Sequence, residues 1–333
     1  MDKQAAEKQK HFGDDVLRVK GISVSFGKHC ILKKIDFEVK EKELFGIIGM
    51  SGSGKTTLLT TIIGALNPDA GDVLFKSNRV LEGEKFQSVF KNPFAIRNLV
   101  GFAAQRGSFY HELTVIQNLE YFAALYDLPP ELAAENIKRA LRLVGLSGFE
   151  NLEGKFLSGG MQKKLDIACA LIHNPSILIL DEPTADLDPI TRADLIRLFK
   201  RINKEGKTVI IASHFLSELE YLCDRIAILN DGIIAEIGTI EQLSKSLSSN
   251  KEIHLQTANG NYDLIVEKLK KVRMIEISHV VDRGQKLVIY TPEAEAVLHH
   301  LLQAVKDSQD SIVNVNVARP SLNEVFKKVV RKR

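Results

Sequence analysis

Eight consecutive residues have the types and spacing needed to hold phosphate. Gly49, Met50, Ser51, Gly52, Ser53, Gly54, Lys55 and Thr56 fit the pattern G-x-x-x-x-G-K-[ST]. Glycines let the backbone curl until several N–H groups converge on phosphate oxygens. The lysine reaches β- and γ-phosphates, and the threonine hydroxyl is a ligand for Mg²⁺. Thr57, next in the chain, joins the same nucleotide-binding set. A glycine-rich turn without a ligand is the plainer account of such a loop. The flanking sequence weighs against it, because the loop follows the apolar run Leu44 to Ile48 and opens a helix-forming stretch, Lys55 to Leu66. A helix that starts there adds the positive end of its dipole to an anion site.

A second candidate lies downstream, where the apolar run Ile177 to Leu180 ends in Asp181 and Glu182. Neighbours on an extended strand point to opposite sides. Asp181 can then face a Mg²⁺ ion shared with Thr56. Glu182, where the strand gives way to Pro183, can turn toward an attacking water as its base. Acids are also common at solvated strand ends, and it is the phosphate loop upstream that favours the chemical reading.

These groups need a framework. Leu17 to Phe26 alternates apolar and polar residues and predicts a strand, with Ile35 to Val39 as its partner across a loop at 27–30. Leu44 to Ile48, Ile177 to Leu180, Val209 to Ala212 and Arg225 to Leu229 predict strands of a buried sheet. Asn230-Asp231-Gly232 predicts a hairpin into Ile233 to Ile237. Helices are predicted at 114–126, 131–146, 158–173 and 189–204, the first two forming a helical insert. Ser244 to Asn250 reads as a linker. Beyond it come a strand at 252–256, a helix at 261–271, strands at 273–280 and 286–290, a helix at 293–306, a strand at 311–317 and a helix at 321–330. That order is the βαββαβ of a ferredoxin-like unit with an added helix.

The 333 residues are 44% hydrophobic and 26% charged, an ordinary globular balance that excludes disorder, collagen and coiled coil. A net charge of +3 gives no electrostatic case for nucleic acid, which is not expected as a partner. The longest uncharged stretch, Ile167 to Leu180, contains His173, Asn174 and Pro175 and is too short for a bilayer span of about 20 apolar residues. The polar opening residues lack the apolar segment of a secretory signal. Cys30, Cys169 and Cys223 are far apart, which argues against a disulfide framework or a zinc site.

Leu157-Ser158-Gly159-Gly160, read with the phosphate loop and the Asp181-Glu182 strand, resembles the nucleotide-binding domain of ATP-binding cassette (ABC) proteins. The resemblance covers about residues 16–245 and implies an α/β fold: a P-loop NTPase cassette of mixed sheet with a helical subdomain at about 106–165. The organisation expected is a polar tail at 1–14, an ATPase domain at 15–245 and an α+β accessory domain at 246–333. ATP and Mg²⁺ are the implied cofactors. Ser158, Gly159 and Gly160 are implied to cap ATP held by a second ATPase subunit, with a second copy expected. Without the resemblance, Ser158 is simply a helix N-cap. Gln105 matches a glutamine that binds Mg²⁺ with Thr56 and Asp181 and senses the membrane partner. His214 matches a histidine that orients the water with Glu182, while Lys55 stabilises phosphoryl charge. Ala185-Asp186-Leu187-Asp188 matches the loop linking two sites across the dimer. Phe26 stands where a ring stacks on adenine, although alternation from Ile22 and Val24 would also place it inward.

Three positions depart from the family pattern: Met161 for glutamine, Phe26 for tyrosine and Ala185 for serine. Met161 and the stretch Arg319 to Phe326 are similar to the drug- and lipid-exporter branch. The resemblance therefore implies a Mg-dependent ATPase subunit that powers a separate integral membrane permease, docked around Arg106 to Leu125. It would lie on the cytoplasmic face of the membrane through that permease. A soluble ABC ATPase acting on ribosomes, DNA or iron–sulfur assembly is the alternative. A module that holds ATP without hydrolysis is a third reading, and Glu182 and His214 argue against it. The basic tail at Lys327, Lys328, Arg331, Lys332 and Arg333 reads as a solvated helix end.

Overall fold

The computed structural model describes residues 13–76, 86–247, 251–272 and 274–318. It divides into two compact units between Ile237 and Gly238. In chain order the elements up to this division are β1 (Asp15–Phe26), β2 (His29–Lys40), β3 (Leu44–Ile48), α1 (Lys55–Ile62), β4 (Ala70–Lys76), β5 (Phe86–Ser88), α2 (Pro93–Arg97), β6 (Val100–Ala103), α3 (Val115–Leu125), α4 (Pro130–Val144), α5 (Gly159–Leu171), β7 (Ile177–Asp181), α6 (Pro189–Lys204), β8 (Thr208–Ser213), α7 (Leu216–Leu222), β9 (Arg225–Asn230) and β10 (Ile233–Gly238).

Two sheets result. One is antiparallel in the order β2-β1-β4-β5. The other runs β10-β9-β3-β8-β7-β6, with β9, β3, β8, β7 and β6 parallel. β3, β7 and β8 are buried along their whole length, as continuous apolar runs require when both faces are covered. One core joins Leu17, Ile22 and Phe75 of the antiparallel sheet to Phe45, Ile179 and Ile210 of the parallel one. Leu58, Leu59 and Ile62 of α1 belong to the same core, and α1 touches β2, β7 and β8. This wedged helix fixes the loop that precedes it.

The helical insert carries its own stop and start signals. Thr114 and Gln117 form a capping box that opens α3. α4 begins with Pro130 and ends at Gly145, which takes a left-handed φ of 74°. Asp188 caps α6 through the N–H groups of Ile190 and Thr191.

Some expectations need correction. α1 stops at Ile62 rather than Leu66, because Gly64 turns left-handed just beyond it. The connection expected at 27–30 is only Gly27 and Lys28, so the second strand begins at His29 instead of Ile35. β5 and α2, of three and five residues, were too short for hydrophobic periodicity to register, and β4 and α7 were not expected either.

The second unit contains α8 (Ile240–Leu247), β11 (Lys251–Thr257), α9 (Tyr262–Lys270), β12 (His279–Asp282), β13 (Leu287–Thr291), α10 (Ala294–Asp307) and β14 (Ile312–Ala318). Its sheet is antiparallel in the order β12-β13-β11-β14. This is the ferredoxin-like βαββαβ arrangement, with a core of Ile253, Leu255, Ile265, Leu287, Ile289, Val297 and Leu301. The linker expected at Ser244 to Asn250 is helical up to Leu247, since Thr239 and Gln242 exchange capping hydrogen bonds and start α8. The strand expected at 273–280 is confined to His279–Asp282, the residues that find partners on β13. The predicted helix at 321–330, the basic tail and most of the polar start lie outside the described residues. Among the described residues no helix is long and apolar enough to cross a membrane, and the three cysteines are free.

Candidate functional site

The phosphate loop leaves the end of β3 and enters α1. A Cβ at Gly49 would come within 2.3 Å of Ser53 Oγ and 2.7 Å of the Leu229 carbonyl oxygen. Gly54 has φ 101°, and a Cβ there would sit 2.9 Å from Leu32. Both positions therefore require glycine. Lys55 folds back over the loop, donating from Nζ to the carbonyls of Gly49 at 2.9 Å and Met50 at 3.2 Å. Met50, Ser51 and Gly52 form an exposed rim, while Ser53 Oγ is buried without a hydrogen-bond partner. Thr57 is half-buried in the first turn of α1.

Thr56 Oγ1 donates to Asp181 Oδ2 at 2.7 Å, joining α1 to the end of β7. Asp181 Oδ1 is buried and has no hydrogen-bond partner. Burial pushes the Asp181 carboxyl above its usual range; the Thr56 hydroxyl opposes that shift and the Glu182 charge adds to it. A divalent cation bound by one carboxylate, one hydroxyl and substrate phosphates is the usual arrangement for Mg²⁺. The unpartnered oxygen and the threonine hydroxyl fit that donor set.

Glu182 adopts φ 46°, a left-handed conformation that is strained for a residue with a side chain. Its N–H donates to the Ala212 carbonyl at 2.9 Å. The sharp turn swings the carboxylate between two bases. Oε1 lies 3.1 Å from Lys55 Nζ, and Oε2 lies 2.8 Å from His214 Nδ1. The His214 N–H also donates to Oε2, at 3.3 Å. His214 is exposed at the end of β8, its ring 4.0 Å from that of Phe215. Lys55, Thr56, Asp181, Glu182 and His214 thus form one connected constellation. It places a carboxylate, an imidazole, an ammonium and a hydroxyl–carboxylate pair beside a glycine-rich loop, the kinds of group that phosphoryl transfer to water employs.

The remaining candidates stand apart from direct contact. Gln105 follows β6 and is exposed; its carbonyl oxygen accepts from Lys163 Nζ at 3.0 Å. Ser158 caps α5 by accepting from the Met161 N–H at 3.4 Å, and Ser158 and Gly159 are exposed. The neighbours of Gly159 and Gly160 are Leu187, just before α6, and Thr191 in its first turn. Phe26 is 53% exposed, while Ile22 and Val24 are buried. A register shift between Val24 and Ser25 breaks the alternation and turns the ring outward. Sequence reasoning missed Lys163. Its signal was a Lys and an Asp three residues apart in the helix opened by Ser158.

Comparison with known proteins gives the family. Residues 32–185 match the family model described as ABC transporter, and residues 238–330 match the ATP-binding protein DrrA1-3-like, C-terminal domain. The chain is 29% identical over 311 residues to the linearmycin resistance ATP-binding protein LnrL of Bacillus subtilis, covering 93% of this chain and 97% of LnrL. It is 34% identical over 265 residues to the methionine import ATP-binding protein MetN of Protochlamydia amoebophila, covering 78% of this chain and 75% of MetN. Among solved structures, a dimeric ATP-binding cassette in a post-hydrolysis state with ADP and Pi aligns with a TM-score of 0.57 and 28% identity, over 67% of this chain and 98% of that one. With its fold, phosphate loop and acidic strand end in place, the chain belongs to the family of ABC transporter ATP-binding proteins.

Proposed function

We propose that this chain hydrolyses ATP with Mg²⁺ to drive a separate integral membrane permease, and that the transport is export. The observation that carries the hydrolytic part is the position of Glu182, held between Lys55 and His214. Glu182 polarises the attacking water and receives its proton. His214 holds the carboxylate in place through ring and backbone. Lys55 and the loop amides stabilise charge spreading over the phosphoryl oxygens. Thr56 and Asp181, joined by Gln105, would hold the ion, which would supply neutralisation of phosphate charge. Phe26 offers its exposed face to the adenine ring.

The exposed start of α5 supports a composite site, in which Ser158, Gly159 and Gly160 meet ATP carried by a second copy of the chain. Export rests on the resemblance to LnrL, a resistance protein matched across nearly its whole length, and on the DrrA1-3-like C-terminal match. MetN, an import protein, argues the other way over a shorter part of the chain. The permease would dock beside Arg106 to Leu125 and hold the chain at the cytoplasmic face of the membrane.

A tagged chain would be recovered in parallel from detergent-solubilised membranes and from the cytosol of its native cell, then analysed by mass spectrometry and assayed for phosphate release from ATP. A stoichiometric polytopic membrane protein and Mg-dependent turnover are expected. Recovery with cytosolic assemblies alone would sink the transporter reading, and ATP binding without turnover would sink the hydrolytic one.

A further inference from the structure

Helix α5 grips the segment after β6 with two charges from one turn. Lys163 Nζ donates to the carbonyls of Ala104 at 3.1 Å and Gln105 at 3.0 Å. Asp166, three residues on and therefore on the same helix face, accepts from the Ser108 N–H at 2.7 Å. A cation thus holds the acceptors at one end of a five-residue loop while an anion holds a donor at the other.

Neither charge sits there cheaply. Asp166 is 1% exposed, and its second oxygen is buried without a hydrogen-bond partner. Burial drives the Lys163 ammonium below and the Asp166 carboxyl above their usual ranges. Taking charge out of water is costly even where hydrogen bonds offset part of the loss, so these two groups are poor sources of net stability. What the arrangement does supply is fixed geometry. Lys163 is also within electrostatic reach of Asp181, the carboxylate bonded to Thr56. The same rigid helix carries Ser158, Gly159 and Gly160 at its start.

We propose that Lys163 is a positioning residue for Gln105: through its two carbonyl contacts, helix α5 and the Gln105 loop move as one body. Contact made at Ser158 to Gly160 is thereby transmitted to the Gln105 loop of the same chain. This deepens the functional reading above and rests on it for the role of Gln105.

The test uses the full chain with Lys163→Met, which keeps the aliphatic length and loses all donors, and Lys163→Arg, which keeps charge and donors. Two readouts are taken. Amide hydrogen exchange at residues 104–108 needs no catalysis. The half-saturating Mg²⁺ concentration for ATP turnover reports the site. In Lys163→Met, exchange at 104–108 is expected to quicken and the Mg²⁺ requirement to rise by about 10-fold to 100-fold, the usual cost of losing an outer partner of a metal site. Exchange in β3, β7 and β8 stays unchanged, and Lys163→Arg behaves like the parent. Unchanged exchange at 104–108 in Lys163→Met would overturn the proposal. So would loss of protection spread through the whole sheet, which marks a packing role only. A parent chain that fails to turn over ATP refutes the functional reading instead, and the exchange arm still decides the role of Lys163.

Discussion

Lys55 and Glu182 form a buried ion pair, Nζ to Oε1 3.1 Å, with each side chain only 7% exposed. The proposed base therefore competes with phosphate for the loop lysine. Removing the charge from Glu182 should slow turnover by about 10²- to 10⁴-fold, the usual contribution of a general base, while freeing Lys55 for ATP. Glu182→Gln is accordingly expected to bind ATP at least as tightly as the parent. Single-turnover phosphate release and equilibrium binding would separate the two effects, and parental turnover in this variant would refute the assignment of the base.

Lys55→Met should do the reverse. It leaves Glu182 buried with His214 as its remaining partner, and breaking such a pair costs about 3–5 kcal/mol. Denaturant midpoints should fall, and ATP should no longer raise the melting temperature. A variant that keeps its ATP-induced shift would contradict the role given to Lys55.

The Thr56 hydroxyl donates to Asp181 Oδ2. Thr56→Val keeps the shape and leaves that oxygen without its donor, at about 1–3 kcal/mol for an unsatisfied buried group. A higher Mg²⁺ requirement for turnover is expected together with lower stability in urea. A stability loss with an unaltered Mg²⁺ titration would confine Thr56 to a structural part.

Gly54→Ala forces a side chain onto a left-handed residue and against Leu32. Backbone strain of this kind costs on the order of 1–3 kcal/mol. Loss of ATP binding should accompany a lowered melting temperature. Parental binding would mean that the loop tolerates another path.

His173 gives a pH dependence remote from the phosphate loop. Its ring stacks on Tyr126 at 3.7 Å, and Nε2 lies 3.2 Å from the Val100 carbonyl oxygen. Burial pushes its pKa down from 6.5 to about 4; Lys207 and Arg97 push the same way, and the Val100 carbonyl opposes them. The folded chain thus favours neutral imidazole. Its stabilising contribution is complete above pH 6.5 and is lost as pH falls toward 4, where the unfolded chain takes up the proton more readily. His173→Phe should flatten the dependence of the urea midpoint between those values. An unchanged slope would show that other groups govern it.

The phosphate loop, the Asp181-Glu182 strand end and the longer strands and helices of both units were legible because residue type and spacing encode them directly. Pro189 to Lys204 carries both its cap and its amphipathic face in sequence, and α6 has those bounds. What escaped depended on contacts distant in the chain. The left-handed turn at Glu182 is anchored by the Ala212 carbonyl. The outward ring of Phe26 follows from pairing with β2, in which Phe26 opposes His29. Lys163 gained meaning only when α5 met the segment after β6. Local periodicity carries no record of such meetings.

The sheet order has a consequence for synthesis. β3 pairs with β8 and β9, so that Ile48 lies against Ser213 and Ile228. At about 5–20 residues per second, a ribosome needs roughly 8–35 s to make the intervening chain. Throughout that interval the apolar strand beneath the phosphate loop lacks both of its neighbours. The helices of the insert, whose contacts are local, can form meanwhile. A nascent chain arrested before β8 should therefore carry folded helices and an exposed, chaperone-seeking β3, and competence for nucleotide should arrive abruptly, near the end of the first unit.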